Sequence, residues 1–236
     1  MLFTLLNGGF SSFSQVLFML LGYVILLGVM MPVHEAAHAF AAVKLGDPTP
    51  RWNGRLTLNP LTHLDPIGGL MIVLFGIGYA KPVPVNPFNF RHERRDMALT
   101  ALAGPLSNLL MAVLCIGLFR LVMVFTGGEL YADGGYIYYT NDATLYAYFV
   151  LVEVMASVNL ALAVFNLLPL PPLDGSRIFG ALLPAKWTYF MDQYHVYVRM
   201  AVLLLVVTGA LDVPLSFMQA HVGNALCALF RLPNLF

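Results

Sequence analysis

The sequence predicts an all-α polytopic membrane protein with about four to five transmembrane helices, and three observations carry the prediction. Of its 236 residues, 59% are hydrophobic and only 10% charged, where a soluble domain carries roughly a quarter. A helix needs about 20 apolar residues to cross a bilayer, and four segments reach or approach that length: 14–45, 97–126, 143–168 and 195–211. Outside them no stretch is long enough to build a soluble core. Residues 1–236 therefore read as one membrane-embedded domain, with a core over about 14–180 and C-terminal helices over about 195–232.

The amino terminus, M-L-F-T-L-L-N-G-G-F, has no basic start and no cleavage site, so the first apolar segment is expected to stay in the mature protein. That span closes on M-P-V-H-E-A-A-H-A-F, Met31 to Phe40, where Pro32 is expected to loosen the helix ahead of three ionisable side chains. Next comes 46–96, rich in Pro, Asn and Gly. Its runs R-L-T-L and P-V-P-V alternate between turn formers and predict short strands. Residues 67–77 are apolar but too short to span, so a small membrane-associated β-hairpin or re-entrant piece is expected between the first two spans. The second span carries A-G-P-L-S-N, Ala103 to Asn108, where Gly104 suits close helix packing. The third ends in F-N-L-L-P-L-P-P-L-D-G, Phe165 to Gly175: the prolines stop the helix, and Gly175 allows a tight turn. A last segment, 215–232, contains Gln219, His221 and Asn224 and is long enough to span or to lie in the interface.

Lys plus Arg equals Asp plus Glu at 12 each, which argues against a nucleic-acid or polyanionic partner. The placement of the basic residues is more informative. Lys44, Arg51, Arg55, Lys81, Arg91, Arg94 and Arg95 follow the first span, and Arg177, Lys186 and Arg199 follow the third, whereas the amino terminus and 126–142 have none. The positive-inside rule then puts the amino terminus outside and both basic connections in the cytoplasm, although Arg120 fits less well. Cys115 and Cys227 lie in apolar segments without ligand spacing and read as packing residues.

Ionisable groups inside a span are costly and point to function. In H-E-A-A-H, positions 34 and 38 project from one helix face, so two imidazoles can grip one metal ion while Glu35 reaches a water bound to it. The plainer reading is a pair of interfacial histidines with a snorkelling glutamate. A catalytic zinc needs a third protein ligand and an open position. Asp174 is the best candidate, because the first and third spans reach the same side of the membrane; otherwise it is a solvated acid or a helix N-cap. Asn166 can donate to the oxyanion of a tetrahedral intermediate or hold a substrate strand, or else bond a neighbouring helix. Asn108 is a candidate for the surround of the site. His63, in N-P-L-T-H-L-D-P, is either at the site rim or part of a turn, and Glu153, mid-span, has no partner that the sequence names.

Together, H-E-A-A-H, N-P-L-T-H-L-D-P-I-G, A-K-P-V-P-V-N-P, A-G-P-L-S-N and F-N-L-L-P-L-P-P-L-D-G resemble the site-2 protease family of intramembrane zinc metalloproteases, over about 28–180. The resemblance implies one zinc ion held by His34, His38 and Asp174, Glu35 as general base, and Asn166 as substrate or oxyanion contact. It also implies a single-span membrane-protein substrate cut within or near its transmembrane segment, and a multi-pass location in a prokaryotic inner or cell membrane. Many relatives carry a PDZ or CBS domain; this chain looks like a minimal form, with recognition left to itself or to an adaptor. Two other readings use the same cluster, a metal- or proton-translocating transporter and an inert membrane scaffold. No internal repeat supports the first, and an intact Glu35 disfavours the second.

Overall fold

The computed structural model describes residues 20–75, 78–127, 130–133, 136–139 and 143–232. They are mostly helical and fall into two compact units, one of residues up to Ser107 with Arg177–Pro184, the other of Asn108–Ser176 and the chain from Ala185 onward.

The first unit is organised by α1, Leu20–Leu45. Residues Leu26–Met30 form a turn of π-helix directly before Pro32, where the missing proline N–H disturbs the ordinary ladder, so the loosening expected at this proline is present. Gly46, at φ 113°, ends the helix in the left-handed region open to glycine.

Where short strands were expected in 46–96, the described residues are mainly short helices. They contain α2 (Thr49–Trp52), α3 (Pro60–His63), α4 (Pro66–Phe75), a 3₁₀ turn (Pro87–Asn89) and one isolated bridge, Leu64 to Ala80. The cause lies in the Asx-Pro pairs. Proline has no ladder donor, but it suits the first helical position, and an Asn or Asp before it caps the exposed N–H groups. Asn59 accepts from Leu61 N at 3.1 Å, Asp65 from Gly68 N at 2.8 Å and Asn86 from Phe88 N at 3.2 Å.

Two buried charged groups brace this segment. Asp47 accepts from Thr49 N and Oγ1, Asn89 Nδ2 and Asn86 N at 2.5–3.1 Å. Burial pushes its carboxyl up, but these bonds, led by the Thr49 and Asn89 side chains, outweigh it and hold the group below its ordinary value. Arg55 donates to the Thr62 and Lys81 carbonyls. α5, Glu93–Thr126, begins in this unit, where Arg94 donates to the Gly180 and Leu183 carbonyls at 3.1 and 2.9 Å and so caps the end of α7, Asp174–Leu182.

In the second unit, the rest of α5 packs with α6 (Ala143–Asn166) and α10 (Asp212–Leu229). Their core comprises Cys115, Ile116, Phe119, Met123, Val152, Ala156 and Cys227, so both cysteines are packing residues. Strands β1 (Leu130–Asp133) and β2 (Tyr136–Tyr139) pair antiparallel, placing a hairpin where the sequence suggested only a short connection. α8 (Ala185–Gln193) and α9 (His195–Val207) complete the unit.

Two helices, α1 and α5, are long and apolar enough to cross a membrane; α9 and α10, bent by 78° at their junction, add a third if they form one span. Among the described residues, two or three of the four to five expected spans are thus present. The bend follows from Gly209, at φ 71°, which lets the chain turn between 195–207 and 212–229. α6 contributes a shorter apolar stretch, Leu151–Asn166. On α5, Leu110, Leu114, Leu118, Leu121 and Phe125 form an exposed apolar stripe opposite the buried Ala112, Ile116, Phe119 and Met123. An outward stripe of this kind is covered by lipid rather than water, and the protein is a membrane protein.

Candidate metal centre

His34 and His38 sit one turn apart on α1, just beyond the π turn, and both are buried. Their Nε2 atoms face each other at 3.0 Å, with the rings edge to face. Two imidazole nitrogens on one tetrahedral zinc at 2.0–2.1 Å would stand about 3.3 Å apart, so the observed pair is within a few tenths of an ångström of a chelating geometry. The second nitrogen of His38 explains its orientation. Nδ1 lies 2.8 Å from the Thr100 carbonyl oxygen, which can only accept. The ring proton therefore sits on Nδ1, and the Nε2 lone pair is turned toward His34.

Gly104, one turn along α5 from Thr100, faces the same rings. A Cβ there would stand 2.6 Å from His34 Cε1 and 2.5 Å from His38 Cε1. Only a residue without a side chain leaves both imidazoles where they are.

Asp174 is the first residue of α7, after the Pro171 and Pro172 stop. The sequence suggested that Gly175 makes a tight turn. Gly175 is instead helical, and its role is close approach, since a Cβ would run into the Leu167 and Leu168 carbonyl oxygens at the end of α6. His34, His38 and Asp174 can each offer one ligand atom to a metal ion. Two imidazole nitrogens and one carboxylate oxygen fit zinc, and three protein ligands leave a position for water or substrate, as a catalytic zinc requires. Glu35, half-buried, follows the first ligand directly on α1.

The remaining candidates are placed as follows. Asn166 ends α6 and donates from Nδ2 to the Leu162 carbonyl at 3.0 Å, a bond inside its own helix. Asn108 is fully buried on α5, one turn beyond Gly104. His63 is buried at the end of α3 and bonds the Thr57 carbonyl at 2.8 Å, bracing the loop. Glu153 is half-buried on α6. Thr100 and Gly104 escaped the sequence reading as site residues. Gly104 was visible only as a small residue, and Thr100 acts through its backbone carbonyl, which no residue type announces.

Comparison with known proteins adds identity to this geometry. A protein of Bacillus subtilis (strain 168) named "Putative zinc metalloprotease YwhC" is 42% identical over 185 residues, covering 78% of this chain and 80% of its own length. "Putative zinc metalloprotease Rip2" of Mycolicibacterium smegmatis is 32% identical over 157 residues, 64% of this chain and 52% of its own length. "Putative zinc metalloprotease MJ0611" of Methanocaldococcus jannaschii is 27% identical over 125 residues, 53% of this chain and 52% of its own length. The chain thus spans four-fifths of the Bacillus protein but only about half of the other two. No solved structure matches it. The family model described as "Peptidase family M50" matches residues 22–208, and the chain belongs to that family.

Proposed function

We propose that this protein is a zinc-dependent endopeptidase that hydrolyses a peptide bond within or near the transmembrane segment of a single-span membrane protein. The observation that carries the proposal is the convergence of the His34 and His38 Nε2 atoms at 3.0 Å, with a glutamate next in sequence, in a membrane protein of peptidase family M50. His34, His38 and Asp174 would hold the ion. Zinc, when bound, supplies Lewis acidity, lowering the pKa of water and polarising the scissile carbonyl.

The chain's own residues do the rest. Glu35 takes the proton of the attacking water and delivers it to the leaving amine nitrogen, acting as base and then as acid. The Asn166 amide keeps one N–H beyond its bond to Leu162 and offers it to the developing oxyanion or to an extended substrate strand. A peptide bond in a helix is covered by its own hydrogen-bonded turns, so the substrate must unwind locally before it is cut. The basic connections after the first and third spans support a cytoplasmic active site in a multi-pass chain of four to five spans, with the amino terminus outside. A cell membrane of prokaryotic type is the proposed location, with recognition left to the chain itself or to an adaptor protein.

The test uses the purified full chain in detergent with a single-span membrane substrate. Cleavage should stop when zinc is chelated and return when zinc is added back. Cleavage that persists through chelation overturns the reading.

A further inference from the structure

We infer that Gly104 is a positioning residue for the metal ligands, and that it works together with the Thr100 carbonyl one turn earlier on α5. The inference rests on the zinc reading above. α5 meets the imidazole pair with two backbone features and no side chain. The Thr100 carbonyl oxygen accepts from His38 Nδ1 at 2.8 Å and thereby fixes the tautomer that turns the Nε2 lone pair toward His34. Gly104 presents a bare Cα where a methyl would stand 2.6 Å from His34 Cε1 and still closer to His38. Both rings are therefore seated against one patch of helix, and that seat sets how far their nitrogens converge.

The kind of atom a methyl would meet makes the claim testable. At Gly104 all three nearest atoms belong to imidazole side chains, which can swing on their own torsions. At Gly175 the nearest atoms are backbone carbonyls, which cannot move without moving the fold. A Gly104→Ala change should thus leave the helices in place, since alanine is the better helix former, and displace the ligands instead.

The experiment measures zinc affinity by chelator competition for the purified full chain, for Gly104→Ala, and for Leu110→Ala, an outward-facing change on the same helix. Cobalt(II) substitution adds a spectrum that reports ligand geometry. Gly104→Ala should bind zinc ten- to a hundred-fold more weakly, the range typical of lost support around a metal ligand, and shift the cobalt spectrum, with a melting temperature no lower than that of Leu110→Ala. Unchanged affinity and spectrum overturn the inference while leaving the protease reading intact. A wild-type chain that takes up no zinc overturns both. Should Gly104→Ala not fold, ¹⁵N-imidazole NMR of the wild type decides: a proton on His38 Nδ1 supports the seat, and a proton on Nε2 overturns it.

Discussion

His34 Nε2 and His38 Nε2 face each other at 3.0 Å across one helical turn, a spacing set by the 3.6-residue period of α1 rather than by any loop. Chelation by two residues of one helix should therefore be severely lowered by removing either. His34→Ala and His38→Ala are each expected to lose zinc, with activity falling to background. Metal analysis of the purified variants checks this, and a variant with full zinc content would exclude that histidine as a ligand.

The Asp47 carboxylate anchors the segment between α1 and α5 through four accepted hydrogen bonds. Asp47→Ala leaves those donors without their acceptor and should cost about 2–3 kcal/mol of stability. The pH dependence has a definite sign. The folded carboxyl is held below its ordinary value of 3.8, so its contribution is complete above that value and is lost as pH falls through the lower folded value. Thermal unfolding of wild type and Asp47→Ala in detergent should differ at pH 7 and converge as pH drops below about 4. A gap that widens in acid would contradict the assignment.

Gly175 stands where a Cβ would collide with the carbonyl oxygens of Leu167 and Leu168. Gly175→Ala should destabilise the α6–α7 turn by about 1–3 kcal/mol and disturb Asp174, which starts the same helix. The expected signature is a lower melting temperature together with weaker zinc binding. Loss of zinc with an unchanged melting temperature would separate the two effects and count against this account of the turn.

What the sequence revealed, and what it hid, follows from how each residue acts. H-E-A-A-H was legible because the chemistry lies in side chains at helical spacing, and P-P-L-D-G because an acid after a proline stop is conspicuous. The 46–96 segment misled because Asn59-Pro60, Asp65-Pro66 and Asn86-Pro87 look like turn punctuation around strands, yet each is a cap followed by a first helical proline. The antiparallel pair that does form, Leu130–Asp133 with Tyr136–Tyr139, lies in a stretch too short and too polar at its ends for apolar patterning to mark. Apolar length marked 195–211 as a span and left 215–232 to span or to lie in the interface; it could not show the 78° bend between α9 and α10 at Gly209. Thr100 and Gly104 stayed hidden because one contributes a backbone carbonyl and the other the absence of a side chain.

The central claim is that Glu35 moves protons for a zinc-dependent hydrolysis while His34, His38 and Asp174 hold the ion. Glu35→Gln keeps the shape of the side chain and removes its basicity. The most direct measurement is zinc content together with cleavage of a single-span substrate by the purified Glu35→Gln protein. The account predicts wild-type zinc content with cleavage reduced by at least 10²-fold, in line with the loss of a general base. Full zinc content with undiminished cleavage would contradict it.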